Sequence, residues 1–192
     1  MKLDPKVVAE LAIPFRPKSY LRIMPTAYAA APLGMGFGHS RFSAPDNSFQ
    51  LVYIARDIAT AIAETIIRDR FEGKTKRILD LVELDDWALS EISSSNPLTV
   101  LDLRTTGLLK LGVSTDAARA KSHSIGQQLS KTLHDRFQID GIIYSSRLTS
   151  SECLAIYGRA VANSLVSSSA VNLVRHPELI DALQSLNVTV RI

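Results

Sequence analysis

Residues 50–67 read QLVYIARDIATAIAETII and join a strand pattern directly to a helix pattern. The first six residues, 50–55, are rich in the β-branched and aromatic types that favour strands. Asp57 is a residue type that caps helix N-termini, so the pattern predicts a helix over 58–71. This junction sets a strand beside an apolar helical segment, 58–67, whose single charged residue is Glu64.

The rest of the chain mixes the same two patterns without a regular βαβ rhythm. We therefore predict an α+β fold with a mixed or largely antiparallel sheet core flanked by helices. Residues 25–49 are rich in Gly, Pro, Ala and Ser, and a loop of this length is expected to have a function. The predicted strands are 19–24, 50–55, 79–85, 98–103, 140–146 and the closing VTVRI, and the predicted helices are 4–13, 58–71, 116–136, 151–164 and 177–185.

Composition limits the classes of protein to which the chain can belong. Its 192 residues are 46% apolar and 21% charged, which favours one globular domain over residues 1–192. The net charge of +3 comes from scattered basic residues and permits an anionic ligand. A nucleic-acid binder such as a ribonuclease would need a basic stripe with interleaved aromatics, and only 6% of residues are aromatic, so we expect no direct nucleic-acid contact.

Targeting and metal-binding signals are weak. Charged residues and Pro5 interrupt the N-terminus before an apolar signal region forms, and neither long uncharged span resembles a membrane helix, so we expect a cytoplasmic protein that does not contact a membrane. Cys153 is the single cysteine, which excludes an internal disulfide and a Cys-based zinc site. The histidines lack acidic partners at ligand spacing, so we expect no metal.

Three charged residues are candidates for a functional site. Glu64 is either a solvated helix residue or a carboxylate placed at a cleft. Arg22, in the strand pattern SYLRIM, points either to solvent or toward a phosphate or carboxylate. Arg41 follows the glycine-rich segment in GHSRFS, where arginines often contact anions but are also common on surfaces.

The segment DGIIYSSR, 140–147, is the last candidate. It is either a strand that runs into a Ser-rich turn or a strand that places Ser145 and Ser146 at a cleft floor. The string GMGFG, 34–38, lacks the spacing of a dinucleotide-binding Rossmann fingerprint, and the chain contains neither a Walker A motif nor a GxSxG elbow.

Taken in order, these pieces resemble the RES domain family, from about residue 18 to about residue 160. Two departures are present: the segment IMPTAYAAAPLG has few of the glycines that follow the first arginine in the family, and Ser145 competes with Ser146 for the family serine. We prefer Ser146, because it lies two residues after Tyr144 and an extended strand would direct both side chains to one face. The matching residues are Arg22, Arg41, Tyr53, Glu64 and Ser146.

The resemblance implies an ADP-ribosyltransferase-like fold that uses NAD as its substrate. Family members look like NAD-degrading toxins, which hydrolyse or phosphorolyse the nicotinamide–ribose bond and are encoded beside an Xre-like helix-turn-helix antitoxin. A homodimer within that complex is compatible with the resemblance. The alternatives are a protein mono-ADP-ribosyltransferase toxin that uses the same site and a non-catalytic domain that only binds its partner.

The resemblance also implies roles for the five residues. Arg22 and Arg41 would grip the NAD pyrophosphate or an attacking phosphate, and Tyr53 would stack on nicotinamide or bond through its hydroxyl. Glu64 would stabilise the positive charge that develops on the ribose, hold a ribose hydroxyl, or orient the nucleophile. Ser146 would position the nicotinamide amide or the ribose.

Overall fold

Strands and helices are interspersed along residues 1–68, 70–71, 74–115, 117 and 122–191, which are the residues that this computed structural model describes. The strands are β1 (Ala12–Phe15), β2 (Tyr20–Pro25), β3 (Leu51–Ala55), β4 (Arg77–Asp80), β5 (Trp87–Ser94), β6 (Leu98–Asp102), β7 (Gly141–Ser145), β8 (Glu152–Tyr157), β9 (Leu165–Ser167), β10 (Val171–Asn172) and β11 (Val188–Arg191). The helices are α1 (Pro5–Leu11), α2 (Ile58–Ile62), α3 (Leu81–Asp85), α4 (Gly107–Lys110), α5 (Ser124–Arg136), α6 (Gly158–Ser164) and α7 (Leu179–Ser185).

One mixed sheet organises the described chain. Its strand order is β1-β6-β7-β8-β3-β2-β5-β10, and β9 pairs with the same strand, β5, as β10 does. Neighbouring strands are antiparallel except for the parallel pair β6–β7. A separate parallel pair joins β4 to β11. The topology agrees with the predicted mixed, largely antiparallel sheet.

Both faces of the central strands are buried, and this explains one wrong prediction. Alternate residues of β8 belong to two different hydrophobic clusters: Cys153, Ala155 and Tyr157 lie in one, and Leu154 and Ile156 lie in the other. A strand covered on both sides is continuously apolar, so periodicity alone does not separate it from a buried helix. The predicted helix over 151–164 is therefore a strand followed by α6.

The predicted strand over 79–85 is correct for its first two residues and wrong beyond Asp80. The strand β4 ends at Asp80, and α3 begins at the next residue, Leu81. The Asp80 backbone N–H donates to Glu83 Oε2 at 2.9 Å, so the glutamate caps the start of the helix that contains it. The alternation of apolar and acidic residues in LDLVELD thus spans a strand end and a helix start.

Other element ends shift by a few residues. Helix α1 ends at Leu11, because Pro14 lies in β1, an edge strand in which a missing N–H is tolerated. Helix α7 starts at Leu179, after Pro177. The predicted helix 116–136 is observed over Ser124–Arg136, while 116 and 118–121 lie outside the described residues. None of the described helices has the length and apolar character needed to cross a bilayer.

The strand–helix junction forms as predicted at its start. The Asp57 side chain accepts a hydrogen bond from the Thr60 N–H at 2.8 Å and caps α2. The helix then widens into a π-helical turn over Ala63–Ile67, in which the Arg68 N–H donates to the Ala63 carbonyl oxygen at 2.8 Å. The regular helix predicted to residue 71 therefore ends earlier. Such π turns occur frequently at functional sites.

The sheet is divided between β2 and β3. Leu21 opposite Ala55 is the register pair that joins these strands, whereas β2 and β5 are paired along their whole shared length. Near this pair, the Tyr20 hydroxyl donates to Glu152 Oε1 at 2.6 Å, so a side chain of β2 is bonded to β8 across the end of β3. Arg104 pairs with Glu152 and, through two hydrogen bonds, with Asp102. These ionic contacts hold one end of the division together.

Replacing Arg104 with methionine tests this ionic cluster. The variant leaves the half-buried carboxylates of Asp102 and Glu152 without their cation, and we expect the free energy of unfolding to fall by about 2–3 kcal/mol at pH 7. Hydrogen bonds from Arg104 hold the pKa of Asp102 below its ordinary value. The stabilisation is therefore present above about pH 4 and is lost as the pH falls through the lowered pKa.

Urea unfolding between pH 3 and pH 7 measures both effects. The wild type should lose stability on acidification more steeply than Arg104→Met. Arg175, which is exposed, supplies the control variant Arg175→Met, and we expect it to behave as wild type. Equal stability of the two variants at pH 7 would contradict the assignment.

Candidate functional site

A cavity of about 240 Å³ opens where β2 and β3 separate. Strand β2, the loop 25–49, strand β3 and the α2 segment with its π turn contribute most of its wall. Four of the five residues predicted for the site line it, and the fifth, Ser146, is hydrogen-bonded to one of them. The lining residues are Leu21, Arg22, Ile23, Ser40, Arg41, Tyr53, Ile54, Ala55, Ala61, Glu64, Thr65, Arg68, Tyr144 and Cys153.

The carboxylate of Glu64 is held by Ser146. The Ser146 hydroxyl donates to Glu64 Oε1 at 2.6 Å, and its oxygen accepts from the backbone N–H groups of Leu148 and Thr149 at 3.1 and 3.3 Å. Because both N–H groups point at the Ser146 oxygen, the hydroxyl proton is directed to the carboxylate. Ser146 is 3% exposed, so this bond is shielded from water.

Two further bonds join the same helix face to the same segment. Thr60 Oγ1 lies 2.8 Å from Thr149 Oγ1, and the Ser151 hydroxyl donates to Asp57 Oδ2. Asp57, Thr60 and Glu64 are spaced by three and four residues and therefore lie on one side of the helix. Together with the Ser146 bond, these contacts fix the rotation of the helix and hence the direction of the Glu64 side chain.

The structure distinguishes the two adjacent serines. Ser145 ends β7, and its hydroxyl makes one long contact of 3.5 Å to the Arg104 carbonyl oxygen. Ser146, the serine that we preferred from the sequence, follows the end of β7 and is the residue that contacts Glu64. The sequence reading assigned Ser146 to the substrate directly, whereas the geometry places its hydroxyl on the carboxylate.

Tyr53 holds the loop 25–49, the glycine-rich loop, through its hydroxyl. The phenolic oxygen accepts from the Ser40 hydroxyl at 3.0 Å and from the Phe42 N–H at 3.1 Å. Burial raises the pKa of Tyr53, so the phenol stays protonated at neutral pH. Phe42 is fully buried and packs edge-on against Tyr144. The Tyr53 hydroxyl is engaged by the loop, and its ring forms part of the cavity wall.

Arg22 binds the other end of this loop. Its guanidinium donates from Nη1 to the Pro32 carbonyl oxygen at 2.6 Å and from Nη2 to the Gly34 carbonyl oxygen at 2.8 Å. Burial lowers the pKa of Arg22, although a guanidinium remains charged in proteins. Since a guanidinium has five N–H donors, the two loop bonds leave donors for an anion in the cavity.

Arg41 is placed by a close contact with helix α5. A Cβ at Gly126 would lie 2.6 Å from the Arg41 carbonyl oxygen, so glycine is needed for the loop to approach the helix. Burial lowers the pKa of Arg41; Tyr144 and Glu64 raise it, and the neighbouring Arg147 and Arg68 lower it. The loop predicted to be functional therefore contributes a cation beside the carboxylate.

Sequence reasoning missed two cations of this site. Arg68 lines the cavity one helical turn after Glu64. Arg147 follows Ser146, and its charge lowers the pKa of Arg41. The four-residue spacing between Glu64 and Arg68 was the sequence signal that could have identified Arg68. Arg22, Arg41 and Arg68 share the cavity wall with one carboxylate, and this excess of positive charge favours an anionic ligand. Within the described residues, no cluster of three His, Cys, Asp or Glu side chains is placed to hold a metal ion.

The bond between Ser146 and Glu64 is tested by a pair of serine variants. Ser146→Ala removes the acceptor of two backbone N–H groups and the donor to Glu64, so we expect the free energy of unfolding to fall by about 1–2 kcal/mol. Ser145→Ala removes one long contact and should change it by less than about 0.5 kcal/mol. Urea unfolding midpoints measure both, and a larger loss for Ser145→Ala would overturn the assignment.

Known proteins that are similar to this chain include a curated relative and a chain of a solved structure. "Probable toxin y4kH" of Sinorhizobium fredii (strain NBRC 101917 / NGR234) is 35% identical over 127 residues, which cover 65% of this chain and 99% of that protein. A chain in the crystal structure of the M. tuberculosis MbcT–MbcA toxin–antitoxin complex has a TM-score of 0.68 at 18% identity, over 96% of this chain and 98% of that chain. This likeness confirms the predicted α+β, ADP-ribosyltransferase-like fold.

The family model described as RES domain matches residues 19–176. The match spans β2, the glycine-rich loop, the α2 segment and the Ser146 turn, which together build the cavity. On this match, the chain belongs to the RES domain family, which is the family predicted from the order of its arginine, tyrosine, glutamate and serine residues.

Proposed function

We propose that this protein is an NAD-degrading toxin of a type II toxin–antitoxin system and cleaves the nicotinamide–ribose bond of NAD by hydrolysis or phosphorolysis. One observation carries the proposal: the Glu64 carboxylate, fixed by Ser146, faces a cavity whose other charged lining residues are arginines. Membership of the RES domain family and the toxin names of its two relatives support it. We also propose that residues 1–192 act as one RES-type domain.

The carboxylate is the group on which bond cleavage depends. Departure of neutral nicotinamide from NAD leaves an oxocarbenium-like positive charge on the ribose. A negative charge fixed in advance stabilises that charge more than mobile water can, because it needs no reorganisation as the charge develops. Glu64 therefore stabilises the ribosyl cation and orients a ribose hydroxyl, water or phosphate.

The surrounding side chains bind and orient the substrate. Arg22 and Arg41 neutralise the pyrophosphate of NAD or an attacking phosphate through charge-assisted hydrogen bonds. The Tyr53 ring stacks on nicotinamide, since its hydroxyl is occupied by the loop. Ser146 is a positioning residue that acts through Glu64.

The proposed system includes an antitoxin. We propose an Xre-like helix-turn-helix protein as the partner, with a homodimer of this chain within the complex. Co-expression of the neighbouring helix-turn-helix gene should restore both growth and cellular NAD. Restored growth without restored NAD would contradict NAD depletion as the cause of toxicity.

Glu64→Gln is the decisive variant. It keeps the shape of the side chain and removes its charge, so we expect NAD cleavage to fall at least about 100-fold with little change in KM. Free nicotinamide, measured chromatographically, reports the rate. Glu91→Gln changes an exposed glutamate of β5 and serves as the matched control, which should cleave NAD at the wild-type rate.

The fate of labelled NAD separates the proposal from its rival. Labelled ADP-ribose or its 1-phosphate in solution supports hydrolysis or phosphorolysis, whereas label bound to protein supports a protein ADP-ribosyltransferase. Cleavage by Glu64→Gln at the wild-type rate would refute the role of the carboxylate.

A further inference from the structure

A second cavity, of about 210 Å³, adjoins the first. The two share Arg22, Ser40 and Tyr53 in their walls. The remaining wall of the second cavity comes from the glycine-rich loop and the start of β3. The lining residues are Arg22, Gly36, Phe37, Gly38, Ser40, Ser43, Ala44, Asn47, Phe49, Gln50, Leu51 and Tyr53.

The two cavities differ in charge. Glu64, Arg41 and Arg68 line the first cavity. Among the residues lining the second, Arg22 is the only charged one, and it lies in the shared wall. The first cavity therefore fits the charged reacting part of a ligand, and the second fits an uncharged part.

The side chains of the second cavity are suited to a planar, polar ring. Phe37 is 62% exposed at its wall, although a large apolar ring gains stability when it is covered. The side-chain amides of Asn47 and Gln50 line the same cavity, and neither forms a hydrogen bond to another described residue. An aromatic platform with free amide donors and acceptors is the usual chemistry of nucleobase binding.

Arg22 lies between the two cavities and is already oriented. Its bonds to the Pro32 and Gly34 carbonyl oxygens fix the guanidinium plane in the shared wall. The remaining N–H donors suit an anionic linker between a ligand part in the first cavity and another in the second. A dinucleotide has this order of parts: a charged reacting half, a pyrophosphate and a neutral base.

We infer that the second cavity is an adenosine subsite in which the adenine ring stacks on Phe37 and bonds to the amides of Asn47 and Gln50. The inference rests on the proposed function, since it assigns the nicotinamide riboside half of NAD to the first cavity. It makes Phe37 a residue that determines whether the enzyme prefers a dinucleotide over a mononucleotide.

Comparing NAD with nicotinamide mononucleotide, which lacks the adenosine half, tests the subsite. For Phe37→Ala we expect kcat/KM to fall about 10-fold or more with NAD, through KM, and to stay unchanged with the mononucleotide. Phe37→Trp keeps the platform and should retain the preference for NAD. Tyr28→Ala removes another exposed aromatic of the same loop, 65% exposed and outside both cavities, and should behave as wild type.

Binding of AMP makes the test independent of catalysis. Calorimetry should show AMP binding to the wild type and at least about 10-fold weaker binding to Phe37→Ala. AMP binding without NAD cleavage would sustain the subsite and refute the proposed function. Absence of AMP binding to the wild type would overturn the subsite whether or not NAD is cleaved. An equal effect of Phe37→Ala on kcat/KM for NAD and for nicotinamide mononucleotide would overturn it as well.

Discussion

The hydrogen bonds between one face of α2 and the segment after β7 set the geometry of the cavity. Asp57, Thr60 and Glu64 meet Ser151, Thr149 and Ser146 in turn. A single such contact would leave the helix free to rotate, whereas three along one face do not. Since Glu64 lies at the end of this series, its carboxylate reaches the cavity in one orientation.

The separation of β2 from β3 forms the cavity that the Glu64 carboxylate faces. Because β2 and β3 are paired at Leu21 and Ala55 and separate beyond this point, side chains from both strands line a cavity instead of a continuous sheet. The bond from Tyr20 to Glu152 lies beside this pair and reinforces the end at which the strands are joined. The glycine-rich loop contributes Ser40 and Arg41 to the cavity wall and is held by Arg22 and Tyr53, so its position depends on the same two strands.

Several features could be predicted because they depend on local sequence. The strand before Asp57, the cap itself and the helix start follow from β-type residues and a capping side chain. The failures have a physical cause as well. The strand β8 is buried on both faces and so shows no alternation, and the π turn around Glu64 widens a helix whose sequence contains no proline or glycine.

The sequence by itself determined the residue types of the site and their order, because family resemblance depends on both. It also determined the fold class, which follows from the mixture of strand and helix patterns. Only the tertiary structure decided which serine touches Glu64, because Ser145 and Ser146 have the same chemistry and differ in the direction of their side chains. It likewise added Arg68 to the cavity wall, brought the charge of Arg147 to bear on Arg41 and placed Arg22 in the wall shared by two cavities, since contacts between distant segments are not encoded in local spacing.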